Sequence, residues 1–202
     1  MKKLIIHLFA LGLIISNTAC QNAKADGDMY IKHVENKRAE TDQYFKSAKS
    51  PLSEVGKSEF TGLPYFDIDL KYLIDAKVEQ IENPDTIKLN TTTGDIRDYL
   101  RFAKLHFSVN DTLCSLVVYK SVHASDIHYF LPYKDYSNGV GSYSAGRYLD
   151  LNEPGRTSYA LDFNLSYNPY CAYSDAYSCP IPPFENHLKV AIFAGVKYES
   201  KH

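Results

Sequence analysis

The chain has 202 residues, 45% of them hydrophobic, with 22 basic and 24 acidic side chains and a formal net charge of -2. That length supports one domain with a substantial core. The mildly acidic balance, with no cluster of Lys and Arg, excludes nucleic acid as the natural partner.

Lys2 and Lys3 precede an apolar run from Leu4 to Ile15, broken only by His7. The run is shorter than the ~20 residues a membrane-spanning helix needs, and it has the layout of a secretory signal over residues 1–19. SNTAC, ending at Cys20, resembles the lipobox of bacterial lipoproteins, in which the cysteine is lipidated and becomes the new N-terminus. Asn17 stands where that motif usually carries an apolar residue. The expectation is a cell-envelope lipoprotein held to a membrane through a lipid anchor at Cys20. The other reading is ordinary cleavage near Ala19 or Ala25. Cleavage before Cys20 removes two lysines and takes the formal charge from -2 to -4. The polar QNAKADGD that follows fits a flexible, lipidated tether over 20–28. A single domain over 29–202 remains.

Residues 28–49 predict a helix, with Ile31, Val34, Phe45 and Ala48 at helical spacing and Pro51 as its stop. A turn-rich connector, SPLSEVGKSEFTGLPYF, comes next. The period then changes to two. Ile74, Ala76 and Val78 alternate with charged residues over 73–81, as in a half-buried strand. Leu105, Phe107 and Val109 alternate likewise, Asn110-Asp111 supplies a turn, and Leu113–Tyr119 returns as the second arm of a hairpin. Residues 127–131 and 188–194 predict further strands, the last apolar on both faces and therefore central. The fold class is mainly β (α+β): an antiparallel sandwich or open barrel with an N-terminal helix.

Eleven of the 17 tyrosines lie between residues 119 and 177, and there is no tryptophan. Tyrosine buries a ring while keeping a hydroxyl for hydrogen bonding, which suits a polar-lined pocket or a sugar-contacting surface. It is also simply a good strand former. Cys171 and Cys179 close a short loop and are the natural disulfide pair of a chain outside the cytoplasm. Inert thiols, or a metal-binding or catalytic thiol, are the other readings. Cys114 reads as a small buried hydrophobe.

The segments GLPYFDID, TTTGDIRDYLRFAKLHFSV, FLPYKD, SYSAGRYLDL, LDFNLSYNPYCAYSDAYSCPIPPFEN and AGVK occur in this order. Together they resemble the bacterial and archaeal domain-of-unknown-function family numbered 1684, over about residues 30 to 198. The resemblance implies one β-rich domain and no established activity. Members commonly end in A-G-E-K, whereas Val196 takes the glutamate's place here.

Within these motifs Arg147 is one of five arginines, and its planar fork of donors suits a carboxylate, phosphate or sulfate. The competing reading is an Arg–Asp brace with Asp150 or Asp162. Asp162 and Asn164 share a parity and would face one way from a strand. Tyr167 and Asn168 follow, and Asn168-Pro169 signals a turn. Pro180, Pro182 and Pro183 stiffen the exit, and Glu185 precedes the last expected strand. Asp135, Ser137 and Gly139 supply too few ligands for calcium and read as a hairpin connection.

These residues lead to one spatial expectation. Residues 161–186 form a braced segment lining a polar pocket, where Arg147, Asp162, Asn164, Tyr167, Asn168 and Glu185 converge on a small polar or anionic ligand, such as a saccharide. A hydrolase using Asp162 or Glu185 with Arg147, and a structural envelope protein without a pocket, are the alternatives. No cofactor or metal site is implied, and no Ser-His-Asp order, nucleophile elbow, Walker motif or HExxH is present.

Overall fold

The structure, a computed structural model, describes residues 9–122 and 128–198, with side chains from residue 25 onward. The basic residues of the expected signal, the Cys20 side chain and His123 lie outside the described residues.

Helix α1 runs Phe9–Lys46. Its second half is the helix expected over 28–49. Residues 20–28, expected as a coil tether, instead continue the helix, since they contain no proline and Gly27 is their only strong breaker. No described helix is long and apolar enough to cross a membrane. A short helix, α2 (Glu54–Glu59), occupies the connector, started by the Ser53 hydroxyl accepting from the Gly56 amide at 3.1 Å.

Among the described residues seven strands form one antiparallel sheet: β1 (Leu73–Gln80), β2 (Thr86–Asn90), β3 (Ile96–Val109), β4 (Thr112–Ser121), β5 (Tyr129–Tyr133), β6 (Arg147–Leu151) and β7 (Ser158–Asp162). Their order is β6-β5-β4-β3-β1-β7, with β2 also paired to β3. The sheet curls into a half-barrel, which decides for the open barrel over the sandwich. The β3–β4 hairpin turns at Asn110 and Asp111, whose φ angles of 46° and 61° are the left-handed pair a tight two-residue turn requires.

Strand parity divides the sheet into two faces. On one face Leu105, Leu116, Val118, Leu131, Leu149 and Leu161 join the main core with Phe163 and Ile192. On the other, Phe130 and Tyr148 form a smaller cluster with Cys179, against which Tyr99, Tyr167 and Tyr177 pack.

The strand expected over 188–194 is absent. Leu188, Val190, Ile192 and Ala194 do alternate into the core, so the period-two signal was real. Among the described residues no neighbouring strand completes the ladder, however. The Tyr136 amide donates to Val190 O, Asp135 Oδ1 accepts from the Ile192 amide, and the Tyr72 hydroxyl accepts from the Phe193 amide. Main chain at 134–136 and side chains of Asp135 and Tyr72 therefore share an extended backbone that a sheet would otherwise have paired.

Candidate functional site

A cleft of about 790 Å³ opens on the face opposite the core. Its walls are the last turns of α1 (Thr41, Tyr44), the outward residues of β3, β5 and β6 (Tyr99, Phe130, Tyr148, Asp150), and the segment 167–180. Local sequence sets each wall. Tyr148 and Asp150 share a parity on β6, so both face the cleft while Leu149 faces the core. Backbone bonds between Tyr148 and Tyr167, at 2.9 and 3.0 Å, hold the following segment against β6. Pro169 then begins a one-turn 3-10 helix, Tyr170–Ala172, and Pro180 carries the chain back across the sheet beside Thr91.

Rings dominate the surface. Phe130 meets Tyr148 edge-on at 4.7 Å, and Tyr148 meets Tyr167 at 5.8 Å. Tyr170 packs on Tyr177 at 5.1 Å and stacks parallel to Tyr44 of α1 at 6.1 Å. One polar constellation sits among them. The Tyr167 hydroxyl donates to Asp150 Oδ2 at 2.8 Å, and His128 Nε2 lies 3.2 Å from Asp150 Oδ1. Partial removal from water raises the Asp150 carboxyl above its ordinary range, against the opposing pull of the Tyr167 hydrogen bond and the His128 charge. Half of its side chain remains exposed, so solvent limits the effect. Burial, then the Asp150 charge, pushes the Tyr167 hydroxyl well up, keeping it a donor. Arg97 completes the rim, its Nη2 donating to Ser178 O at 2.8 Å.

The six residues expected to converge do not all meet: Asp162, Asn164 and Tyr167 share one cavity, Tyr167 and Asn168 another, and Arg147 and Glu185 line neither. Tyr167 and Asn168 line the cleft. Asn168 is buried, donating to the Tyr173 hydroxyl at 3.2 Å and to Lys197 O at 3.1 Å. Arg147, expected at the pocket, is not at the cleft. It is fully buried and pairs with Asp135 at 2.9 Å, not with Asp150 or Asp162. Its guanidinium also donates to Ile192 O at 2.7 Å and to Ala194 O, and lies over the Tyr133 ring. With these donors engaged inside the core, it cannot clamp a ligand.

Asp162 and Asn164 are also engaged internally. Asp162 Oδ1 accepts from the Asn164 amide and from the Tyr30 hydroxyl, each at 2.9 Å. Asn164 donates to Tyr30 and to Asp69 O and accepts from the Asp69 amide. This network docks α1 onto the 3-10 turn Phe163–Leu165. Both residues line a second cavity of about 290 Å³ on the far side of Tyr167, which also contains Arg38, stacked over Tyr65, and Val196. Glu185 lies elsewhere, on the surface, accepting from Arg101 at 2.9 Å and from the Tyr119 hydroxyl at 2.6 Å. The Asp162–Glu185–Arg147 arrangement of a hydrolase is therefore not assembled. Cys171 and Cys179 are neighbours, as expected of a pair, but stand as free thiols, the Cys171 amide donating to Cys179 Sγ at 3.1 Å.

Asp150 stands out in the sequence only as an Arg147 partner, and His128 carries no site expectation. The signal that finds both is parity: His128 with Phe130, and Asp150 with Tyr148, on adjacent antiparallel strands. No short-range signal points to Tyr44, which α1 brings from far along the chain.

The sequence matches the family described as Protein of unknown function (DUF1684) over residues 58–197. No curated protein matches the chain. Among solved structures, the solution NMR structure of an uncharacterized protein from Haloarcula marismortui superimposes with a TM-score of 0.70 at 33% identity, covering 88% of this chain and 99% of that one. The chain belongs to the DUF1684 family.

Proposed function

We propose that this protein is an envelope lipoprotein that binds a small polar ligand of the saccharide class in the tyrosine-walled cleft. The observation that carries the reading is the cleft itself: about 790 Å³, faced by Tyr44, Phe130, Tyr148, Tyr167, Tyr170 and Tyr177, with one polar constellation at Asp150. Its volume falls in the usual range for small-molecule sites, which combine apolar walls with a few placed polar groups. Aromatic faces pack against the C–H faces of a sugar ring, and a carboxylate accepts its hydroxyls. The Glu40 and Asp150 carboxyls lie around the cleft with Arg97, which favours a neutral polar ligand over a strongly anionic one. The tyrosines need little reordering, because neighbouring rings already hold them. The envelope placement is supported by the n-region, apolar run and Cys20 of the first twenty residues.

The test is isothermal titration calorimetry with a panel of neutral mono- and disaccharides, on the wild type and on Tyr170→Ala. One sugar should bind, with affinity lost roughly tenfold or more in the variant, the effect of losing one stacking face. Equal binding by the two proteins, or none by the wild type, sinks the reading. Metabolic labelling with a radioactive fatty acid, abolished by Cys20→Ser, tests the anchor separately.

A further inference from the structure

We propose that Cys171 and Cys179 form a thiol–disulfide exchange site that accepts a disulfide-bearing molecule, with Cys171 as the attacking sulfur and Cys179 as the resolving one. This assignment stands on the sulfur geometry and not on what occupies the cleft. The two cysteines are unequal. Cys171 sits on the Tyr170–Ala172 turn and is half-buried, within reach of a reagent from solvent. Cys179 is 6% exposed and packs with Phe130 and Tyr148.

Their backbones are unequal too. Cys179 is pinned on both sides to the turn after β2: its amide donates to Thr92 Oγ1 at 3.1 Å, and its carbonyl accepts from the Thr92 amide at 2.9 Å. Cys171 belongs to a single turn closed by the Ala172 amide to Pro169 O and the Tyr173 amide to Tyr170 O, each at 2.9 Å. The Cys171 amide reaches Cys179 Sγ at 3.1 Å, so the sulfurs already lie within one side chain of each other. Their electrostatics agree. A hydrogen bond from the Cys179 thiol, assisted by Tyr143 and Thr92 and opposed by burial, brings the Cys171 thiol down to about 7. The same hydrogen bond between the two sulfurs, with burial, drives the Cys179 thiol far up. An accessible, readily ionised thiol beside a buried protonated one is the division of labour that exchange requires.

The steps balance. The Cys171 thiolate attacks one sulfur of a disulfide RSSR, forming Cys171–S–S–R and releasing RS⁻. Cys179 then gives up its proton to RS⁻ and attacks the Cys171 sulfur, releasing the second RS⁻, which is protonated from solvent. The net change is one protein dithiol and one RSSR to one protein disulfide and two RSH. The bond closes the loop carrying Tyr173, Tyr177 and Ser178, all of which face the cleft. Oxidation therefore adds a covalent tie to one wall of the cleft, and reduction removes it.

The test uses the full chain in a Cys20→Ser, Cys114→Ser background with oxidised glutathione as the probe. The protein with both cysteines should lose two hydrogens by mass and keep no glutathione. Cys179→Ser should accumulate one glutathionyl group on Cys171, and Cys171→Ser should react roughly tenfold or more slowly. Brief alkylation of the folded, reduced dithiol protein should label Cys171 before Cys179, which keeps the test open if a serine variant misfolds. Equal reactivity of the two cysteines, preferential labelling of Cys179, or a dithiol protein that stops at the mixed disulfide overturns the proposal.

Discussion

Strand β6 carries two charged residues, Arg147 and Asp150, and places them in opposite surroundings. Arg147 faces the core, has no exposed surface, and bonds Asp135, Ile192 O and Ala194 O. Asp150 faces the cleft, half exposed, with Tyr167 and His128 as partners. A spacing of three on a strand reverses the face. One pair therefore serves the fold and the other lines the cleft. A charge alone did not mark the site; the side of the sheet on which it stands does.

The comparison breaks first, and most visibly, at Arg147. Arg147→Met leaves the Asp135 carboxylate buried without its counter-charge and two main-chain carbonyls without donors. The expected loss is about 3–5 kcal/mol, read as the shift in urea midpoint. Replacing Asp135 with Asn at the same time should recover part of that loss, because the uncompensated charge is gone. A single Arg147→Met that costs under ~1 kcal/mol would mean the guanidinium is not structural, and the face argument fails.

Two adjacent residues sharpen the same contrast without a strand. Asn186 is fully buried: its Oδ1 accepts from the Val117 amide at 2.7 Å, and its Nδ2 donates to Val117 O at 2.9 Å and Pro132 O at 2.8 Å. It acts as a piece of main chain, filling the gap where β4 and β5 diverge. Asn186→Leu strands three buried polar groups and should cost about 2–3 kcal/mol. Glu185→Gln, one position earlier on the surface, should cost under ~1 kcal/mol, since its ion pair with Arg101 is solvent-screened. Chemical denaturation of both variants under one set of conditions checks the ratio.

The sequence was informative where one local rule governed. Alternation located β1, β3 and β4, and Asn110-Asp111 located their hairpin turn. Helical spacing located the end of α1. It misled at 188–194, where alternation was correct about the buried side chains but silent about the backbone, whose partners are the main chain of Lys134 and Tyr136, a buried carboxylate, a tyrosine hydroxyl and a guanidinium instead of a strand. The candidate site was legible only in part. Tyr167 and Asn168 were placed at the cleft because their segment is dense in rings and turns. Arg147 and Glu185 were misplaced because residue type was weighed without strand parity or exposure. The α1 wall was invisible, since contact between Tyr44 and Tyr170 depends on how a helix docks across the whole domain.

The smallest expected effect is the most discriminating, because it separates an open charge from a structural one. Asp150→Asn keeps an acceptor for the Tyr167 hydroxyl but removes the charge. Desolvation raises the Asp150 carboxyl in the folded state, so its ionisation is a mild penalty on folding. The penalty is present above the folded-state pKa. It fades as pH falls through that value toward the unfolded one, where the carboxyl is protonated in both states. The variant should therefore match or slightly exceed the wild type at neutral pH, within ~0.5 kcal/mol, and the difference should close on acidification. Urea midpoints at neutral and acid pH read this directly. A variant several kcal/mol less stable at neutral pH would make Asp150 a second Arg147, a residue of the fold and not of the cleft.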